Sequence, residues 1–258
     1  MPKPTQIAPS LLSADFLNLE RDVRLLTESA EPPEWLHLDV MDGHFVRNLT
    51  IGPAFVRSLK QITSVPLDVH LMIDNPQYQL DWYLQAGADQ LTFHLEALRP
   101  GAQAKADALR PGQLGDPRGR SAYLEELSEA EIELGIDLLT AVRSAGSRAG
   151  LSINPHTPTE LLRPFLGHLD TVLLMSVHPG FGGQDFIPKS FSRLSRVRSD
   201  IEAQNAPVLI EVDGGIDATN AQPAVEAGAS ILVAGKSIYG RANPYQAMQR
   251  IRLAASGR

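Results

Sequence analysis

The sequence predicts an α/β protein, a single (β/α)8 barrel of the TIM class covering residues 1–258. Three observations predict it. Eight short apolar runs recur along the chain, and most are followed by an amphipathic stretch. Several of the runs are nearly continuous in apolar residues rather than alternating, as strands covered on both faces should be. Finally, 258 residues suit an α/β barrel built as one unit.

The candidate strands are residues 7–12, 35–40, 65–72, 90–94, 149–153, 171–177, 207–212 and 230–234. Between them lie helical patterns. Residues 18–29 place Leu19, Val23 and Leu26 on one face, and residues 76–86 do the same with Tyr78, Trp82 and Leu84, stopping at Gly87. Residues 221–227 end at Gly228, the usual place for a glycine just past a helix. Strands alternating with helices imply a parallel sheet, and eight units favour closure into a barrel. The fourth unit is oversized. Its surplus falls in residues 99–120, rich in Gly, Pro, Ala and Arg, which read as a flexible insertion rather than a second domain. Ser128 and Glu131 fit a capping box at the start of a helix over 132–145, or are simply solvated surface residues.

Composition narrows the function. A net charge of −7 argues against general nucleic-acid binding, but local N–H groups can still hold a phosphate in an acidic protein. There is no cysteine, so disulfides and thiolate metal sites are excluded. The first six residues lack a secretory apolar core, and no apolar run reaches the length of a membrane span. A cytoplasmic location and no membrane partner are the expectations.

The chemistry sits where buried strands end in ionisable residues. His37 and Asp39 alternate on one strand and so share a face. Burying them is costly unless they are paired or hold a metal. For one strand alone a hydrogen-bonded core pair is the simpler reading. The oddity then repeats, with His70 ending the third strand and Asp213 the seventh. Barrel strands converge on one mouth, which would bring His37, Asp39, His70 and Asp213 into one small volume. Two imidazoles and two carboxylates suit one divalent transition metal (Zn, Fe, Mn or Co) better than Ca²⁺ or Mg²⁺. Three glycine-bearing loops follow strands six, seven and eight: Gly180-Phe181-Gly182-Gly183, Gly214-Gly215 and Gly235-Lys236. Glycines let backbone N–H groups approach an anion, and this end of the barrel is its common phosphate site.

Five segments together resemble the ribulose-phosphate 3-epimerase family. They run from Ile7 to Phe16, from His37 to Gly43, from Asp68 to Met72, from Met175 to Gln184 and from Glu211 to Gly215, and they agree with the family in content and order. The resemblance covers nearly the whole chain apart from the termini and residues 99–120. It implies a TIM barrel that interconverts D-ribulose 5-phosphate and D-xylulose 5-phosphate in the pentose phosphate pathway. Carried over by position, it implies His37, Asp39, His70 and Asp213 as metal ligands and Asp39 and Asp213 as the acid–base pair. It places Ser10 and His70 at the substrate, and Gly180, Phe181, Gly182, Gly183, Gly214, Gly215 and Gly235 around its phosphate, beside which Lys236 is a further candidate contact. Met41, Met72 and Met175, which on pattern alone fill a core, would by this resemblance form a polarizable cap over the reacting carbon.

Three features depart from the family. His178 stands where Asn is common, Lys236 stands where a small hydroxyl residue is common, and the insertion is long. Lys236 could contact phosphate, or point to solvent while Ser237 serves. Two aspartates would move protons on opposite faces of carbon 3 through an enediolate, and a metal would hold its charge. A related decarboxylase-type site needs Asp-x-Lys-x-x-Asp, but Asp39-Val40-Met41-Asp42 has methionine in place of lysine. Epimerisation of a six-carbon ketose 6-phosphate such as allulose 6-phosphate, and a non-catalytic sugar-phosphate-binding barrel, are the alternatives; the second has no need of two aspartates. The expected partner is a small sugar phosphate, and a homo-oligomer is the expected assembly.

Overall fold

The computed structural model describes residues 5–99 and 126–257. Eight strands form one parallel sheet: β1 (Gln6–Pro9), β2 (Leu36–Met41), β3 (Leu67–Met72), β4 (Gln90–His94), β5 (Arg148–Ile153), β6 (Thr171–Met175), β7 (Leu209–Asp213) and β8 (Ile231–Ala234). Their order is β1-β8-β7-β6-β5-β4-β3-β2, every pairing parallel. The ring closes between β1 and β2 through a single parallel bridge, Ser10 to His37. At this seam the Ile7 N–H lacks a strand partner and donates to the Glu34 carboxylate at 2.9 Å, and Arg252 holds the other Glu34 oxygen at 2.5 Å. The open edge is thus satisfied by a side chain rather than by a ladder.

The helices follow their strands around the outside: α1 (Leu19–Thr27), α2 (Pro53–Leu59), α3 (Leu80–Ala86), α4 (Glu129–Ser144), α5 (Ser190–Ala203), α6 (Ala221–Ala227), α7 (Lys236–Tyr239) and α8 (Pro244–Ala255). After β5 the crossover is a 3-10 helix, Thr159–Phe165, with Pro164 inside it. The expected capping box is present. The Ser128 side chain accepts from the Glu131 N–H and the Glu131 carboxylate accepts from the Ser128 N–H, so α4 begins with two of its orphan donors satisfied. Arg99 reaches the same Glu131 at 2.7 Å. The expected insertion at 99–120 lies, beyond Arg99, outside the described residues.

Two expectations need correction. The stretch 76–86 is not one helix: Pro76–Tyr78 forms a 3-10 turn, and only Leu80–Ala86 is α-helical. The phase shifts with it, so Leu80, Tyr83 and Ala86 face the core, while Tyr78 and Trp82 are exposed. The first strand also stops earlier than expected. Pro9 ends it, and Ser10 caps a 3-10 turn by accepting from the Leu12 N–H, which carries the chain across the barrel mouth.

Strand alternation divides the core in two. On β2, Leu36, Leu38 and Val40 pack outward in the layer beneath the helices, while His37, Asp39 and Met41 point into the barrel. The same alternation puts Asp68, His70 and Met72 of β3, Gln90, Thr92 and His94 of β4, and Glu211 and Asp213 of β7 inside. The apolar layer between sheet and helices fixes the strands, leaving the interior free to carry polar groups. Register aligns them in levels: His37 beside Asp68, Asp39 beside His70 and Met41 beside Met72.

Candidate active site

The strand ends bring His37, Asp39, His70 and Asp213 together, each offering a ligand atom within 4.8 Å of the others. His37 and His70 are fully buried, Asp39 is 5% exposed, and the Asp213 side chain is 14% exposed. His37 Nδ1 lies 2.5 Å from Asp68 Oδ2, so the Nδ1–H is spent on that carboxylate and Nε2 faces inward. There Nε2 lies 3.4 Å from Asp39 Oδ1 and 3.9 Å from Asp213 Oδ2. It is buried and makes no hydrogen bond. His70 Nδ1 lies 3.3 Å from the same Asp39 oxygen. The other Asp39 oxygen accepts the Ser10 hydroxyl at 2.7 Å.

This arrangement fits a metal ion. A buried imidazole nitrogen without a partner, aimed at two carboxylates with a second imidazole beside them, is a set of acceptors that a cation would satisfy. Nitrogen with oxygen donors matches the transition metals expected from the sequence. Burial disfavours charge on His37, but Asp39 and Asp68 outweigh it and draw its titration well above the ordinary range. Burial would likewise raise Asp39, yet His37 and His70 hold it far below the ordinary carboxylate range. Asp213 goes the other way: burial, then repulsion from Asp39, pushes it up to about 7. Burial carries His70 down to about 4. The two aspartates therefore differ in kind, one strongly ionised and one close to half-protonated at neutral pH.

Above this floor opens a cavity of about 470 Å³. Ser10, Asp39 and Asp213 line it with Met41, Met72 and Met175. So do Gly180, Phe181, Gly182, Gly183, Gly214, Gly215, Gly235 and Lys236. His37 lies under the floor and does not line the cavity. His70, also expected at the substrate, is fully buried beside Asp39 and absent from the lining. Gly214 and Gly215 have φ of +118° and +67°. A Cβ on Gly215 would sit 2.4 Å from the Phe186 backbone nitrogen, so both conformation and space demand glycine there. Gln184 ties the loop after β6 by donating to the His178 and Phe181 carbonyls at 2.6 and 2.8 Å, and Asn48 crosses from the β2 side to the Gly180 carbonyl at 2.9 Å. The Ser237 hydroxyl donates to the Ile216 carbonyl at 2.6 Å and is thereby committed to the loop after β7. Lys236 is left facing the cavity beside Gly183.

The family model described as the ribulose-phosphate 3 epimerase family matches residues 6–110 and 125–239. The chain belongs to the ribulose-phosphate 3-epimerase family. It is 39% identical over 246 residues to a ribulose-phosphate 3-epimerase of Mycobacterium leprae, covering 95% of this chain and 93% of that protein. It is 37% identical over 248 residues to one of Bacillus subtilis, covering 96% and 98%. Among solved structures, KGPDC from Streptococcus mutans aligns with a TM-score of 0.64 at 10% identity, covering 99% of each chain. Orotidine 5'-phosphate decarboxylase from Pyrococcus horikoshii aligns with 0.61 at 15%, covering 98% of this chain and 100% of that one. At these identities they support the barrel alone. As a member of the epimerase family, the chain is an isomerase.

Sequence reasoning on this epimerase missed a lower tier of the site. Asp68 orients His37, Gln90 donates to Asp68 at 2.8 Å and to Glu211 at 3.2 Å, and Thr171 donates to Gln90 at 2.7 Å. Burial, then the charge of Asp68, pushes Glu211 well above the ordinary carboxylate range, whereas Asp68, despite its burial, is held below it by His37. His94 and Glu96 were missed as well. The signal was available: each of Asp68, His94 and Glu211 is a polar residue with an apolar residue on either side along the chain.

Proposed function

We propose that this chain is a metal-dependent epimerase that interconverts D-ribulose 5-phosphate and D-xylulose 5-phosphate by two-aspartate proton transfer at carbon 3. The observation that carries the reading is the placement of two carboxylates, Asp39 and Asp213, at the floor of one cavity, reaching it from β2 and β7 beside His37 and His70. Ionised Asp39 is suited to take the carbon-3 proton from one face. Protonated Asp213 is suited to deliver a proton to the other, and the roles exchange for the reverse reaction. Ser10, donating to Asp39, holds that carboxylate in place. His37, Asp39, His70 and Asp213 would hold the metal, which supplies charge stabilisation for the enediolate. Met41, Met72 and Met175 keep water from the reacting carbon. The glycine loops and Lys236 would bind the phosphate at the far end of the cavity.

The name shared by the curated relatives supports the five-carbon substrate. The deciding assay incubates purified protein, loaded with Zn²⁺, Fe²⁺, Mn²⁺ or Co²⁺, with D-ribulose 5-phosphate and, separately, with allulose 6-phosphate. Conversion of the first should exceed conversion of the second, and stripping the metal should abolish it. Turnover that survives rigorous metal removal would contradict the metal-dependent reading.

A further inference from the structure

His94, which ends β4, and Glu96, two residues on, take no part in the chemistry described above, yet they are 0% and 5% exposed. They continue the site outward in a line. His94 Nε2 lies 2.8 Å from His70 Nε2, and His94 Nδ1 lies 3.1 Å from Glu96 Oε2. The far end is fixed. Glu96 Oε1 accepts the Asn154 N–H at 2.8 Å and also the Thr157 hydroxyl. The carbonyls of Asn154 and Thr157 in turn accept from buried Arg193 of α5 at 2.9 and 2.8 Å. A chain of polar contacts therefore runs from His70 to the loop after β5 and on to α5.

The chain has a direction. Burial alone would raise Glu96, but hydrogen bonding from His94, Thr157 and the Asn154 N–H outweighs it and holds the group below the ordinary carboxylate range. An ionised carboxylate only accepts, so His94 must present Nδ1–H to it. The tautomer that carries its one proton at Nδ1 offers a lone pair at Nε2. Two facing ring nitrogens need one proton between them, and His70 must supply it from its own Nε2. The remaining nitrogen of His70, Nδ1, is left with a lone pair directed at Asp39 Oδ1, 3.3 Å away. Two acceptors facing each other at that distance call for a cation between them.

We propose that His94 and Glu96 are positioning residues that select the His70 tautomer with Nδ1 free, and so preset that nitrogen as a metal ligand. The proposal rests on the metal-site reading above. His37 receives the same service directly from Asp68, whereas His70 receives it from a carboxylate through a second imidazole.

The test compares wild type, His94→Phe and His94→Gln by zinc titration against a chromophoric chelator, with folding checked by circular dichroism. It also records ¹⁵N imidazole NMR of the zinc-loaded wild type. Loss of such an outer partner typically weakens metal binding about 10–100-fold, and His94→Phe should fall in that range. His94→Gln, whose amide oxygen can accept the same N–H, should recover most of the loss, which a purely packing role would not produce. The spectra should place the proton of His70 on Nε2 and that of His94 on Nδ1. Zinc affinity unchanged in His94→Phe, or a proton on His94 Nε2, would overturn the relay. If wild type bound no zinc, the metal-site reading would fall and the relay with it. Should His94→Phe not fold, the wild-type tautomers decide the matter.

Discussion

At the floor of the cavity, polar groups are presented by side chains anchored on β2, β3 and β7; at the rim, proposed to face phosphate, they are presented by the backbone of glycine loops after β6, β7 and β8. The floor is buried, with both histidines fully enclosed, His37 held by Asp68, His70 by His94 and Asp39 by Ser10. The rim is open: Phe181 is 56% exposed and Lys236 is exposed. The groups proposed to change charge during proton transfer sit where they are largely buried, Asp39 5% and Asp213 14% exposed, and their titration can be set by neighbours. A phosphate that does not react needs only N–H groups and a nearby cation, and these work at a solvated edge.

The contrast predicts different kinetic signatures at the two ends. The largest effect is expected at the floor. Asp39→Asn and Asp213→Asn remove a proton-transfer group while keeping its size, and each should lower kcat by at least about 10²–10⁴-fold with metal supplied in excess. Steady-state assay in both directions checks this. A variant within tenfold of wild type would dissolve the distinction between floor and rim.

The next effect is in pH dependence. The folded-state value of Asp213 is about 7, above the ordinary carboxylate value of about 4. The group therefore adds stability that is complete below about pH 4 and is lost as pH rises through about 7. Metal-free wild type should lose thermal stability across that window more steeply than metal-free Asp213→Asn, as measured by thermal unfolding at a series of pH values. Metal binding has the opposite sign, because the cation competes with the proton for Asp213, so affinity should rise with pH through the same window. Parallel stability curves for the two proteins would show that Asp213 is not the raised group.

The smallest effect belongs to the rim. Lys236→Ser removes an exposed charge whose contact with a remote phosphate would be equal in ground and transition states. It should raise KM about two- to fivefold, the scale of a solvent-exposed ion pair, and leave kcat nearly unchanged. A fall in kcat with KM unchanged would move Lys236 from binding into chemistry.

The barrel was legible in its eight apolar runs alternating with amphipathic stretches, and its floor because a charged side chain on an otherwise apolar strand is conspicuous. His37, Asp39, His70 and Asp213 stand out as such residues, and the structure gathers them. His94 and Glu211 carry the same mark, but the mark alone does not say which level of the barrel each reaches or what it meets there. The partnership of His94 with His70 depends on which faces of β3 and β4 meet, a matter of three-dimensional packing. The rim was legible only as glycine. Glycine spacing marks where the backbone can turn, but not that Ser237 is committed to Ile216 while Lys236 faces the cavity. The helix over 76–86 misled because Pro76 and the aromatic residues after it fit a helical period by spacing alone. Asn75, with φ of +53°, starts a 3-10 turn that shifts the phase and turns Trp82 outward.

The proposal of two aspartates on opposite faces of carbon 3 is tested most directly by solvent deuterium. Metal-loaded wild type, Asp39→Asn and Asp213→Asn are each incubated in D₂O with D-ribulose 5-phosphate and, separately, with D-xylulose 5-phosphate, and label at carbon 3 is followed by NMR. Wild type should incorporate deuterium as it converts either epimer. In each variant net epimerisation should stop, and any residual exchange should favour one epimer, a different one for Asp39→Asn than for Asp213→Asn. If both variants exchanged the same epimer, or either still epimerised at near-wild-type rate, Asp39 and Asp213 would not be the two opposed bases.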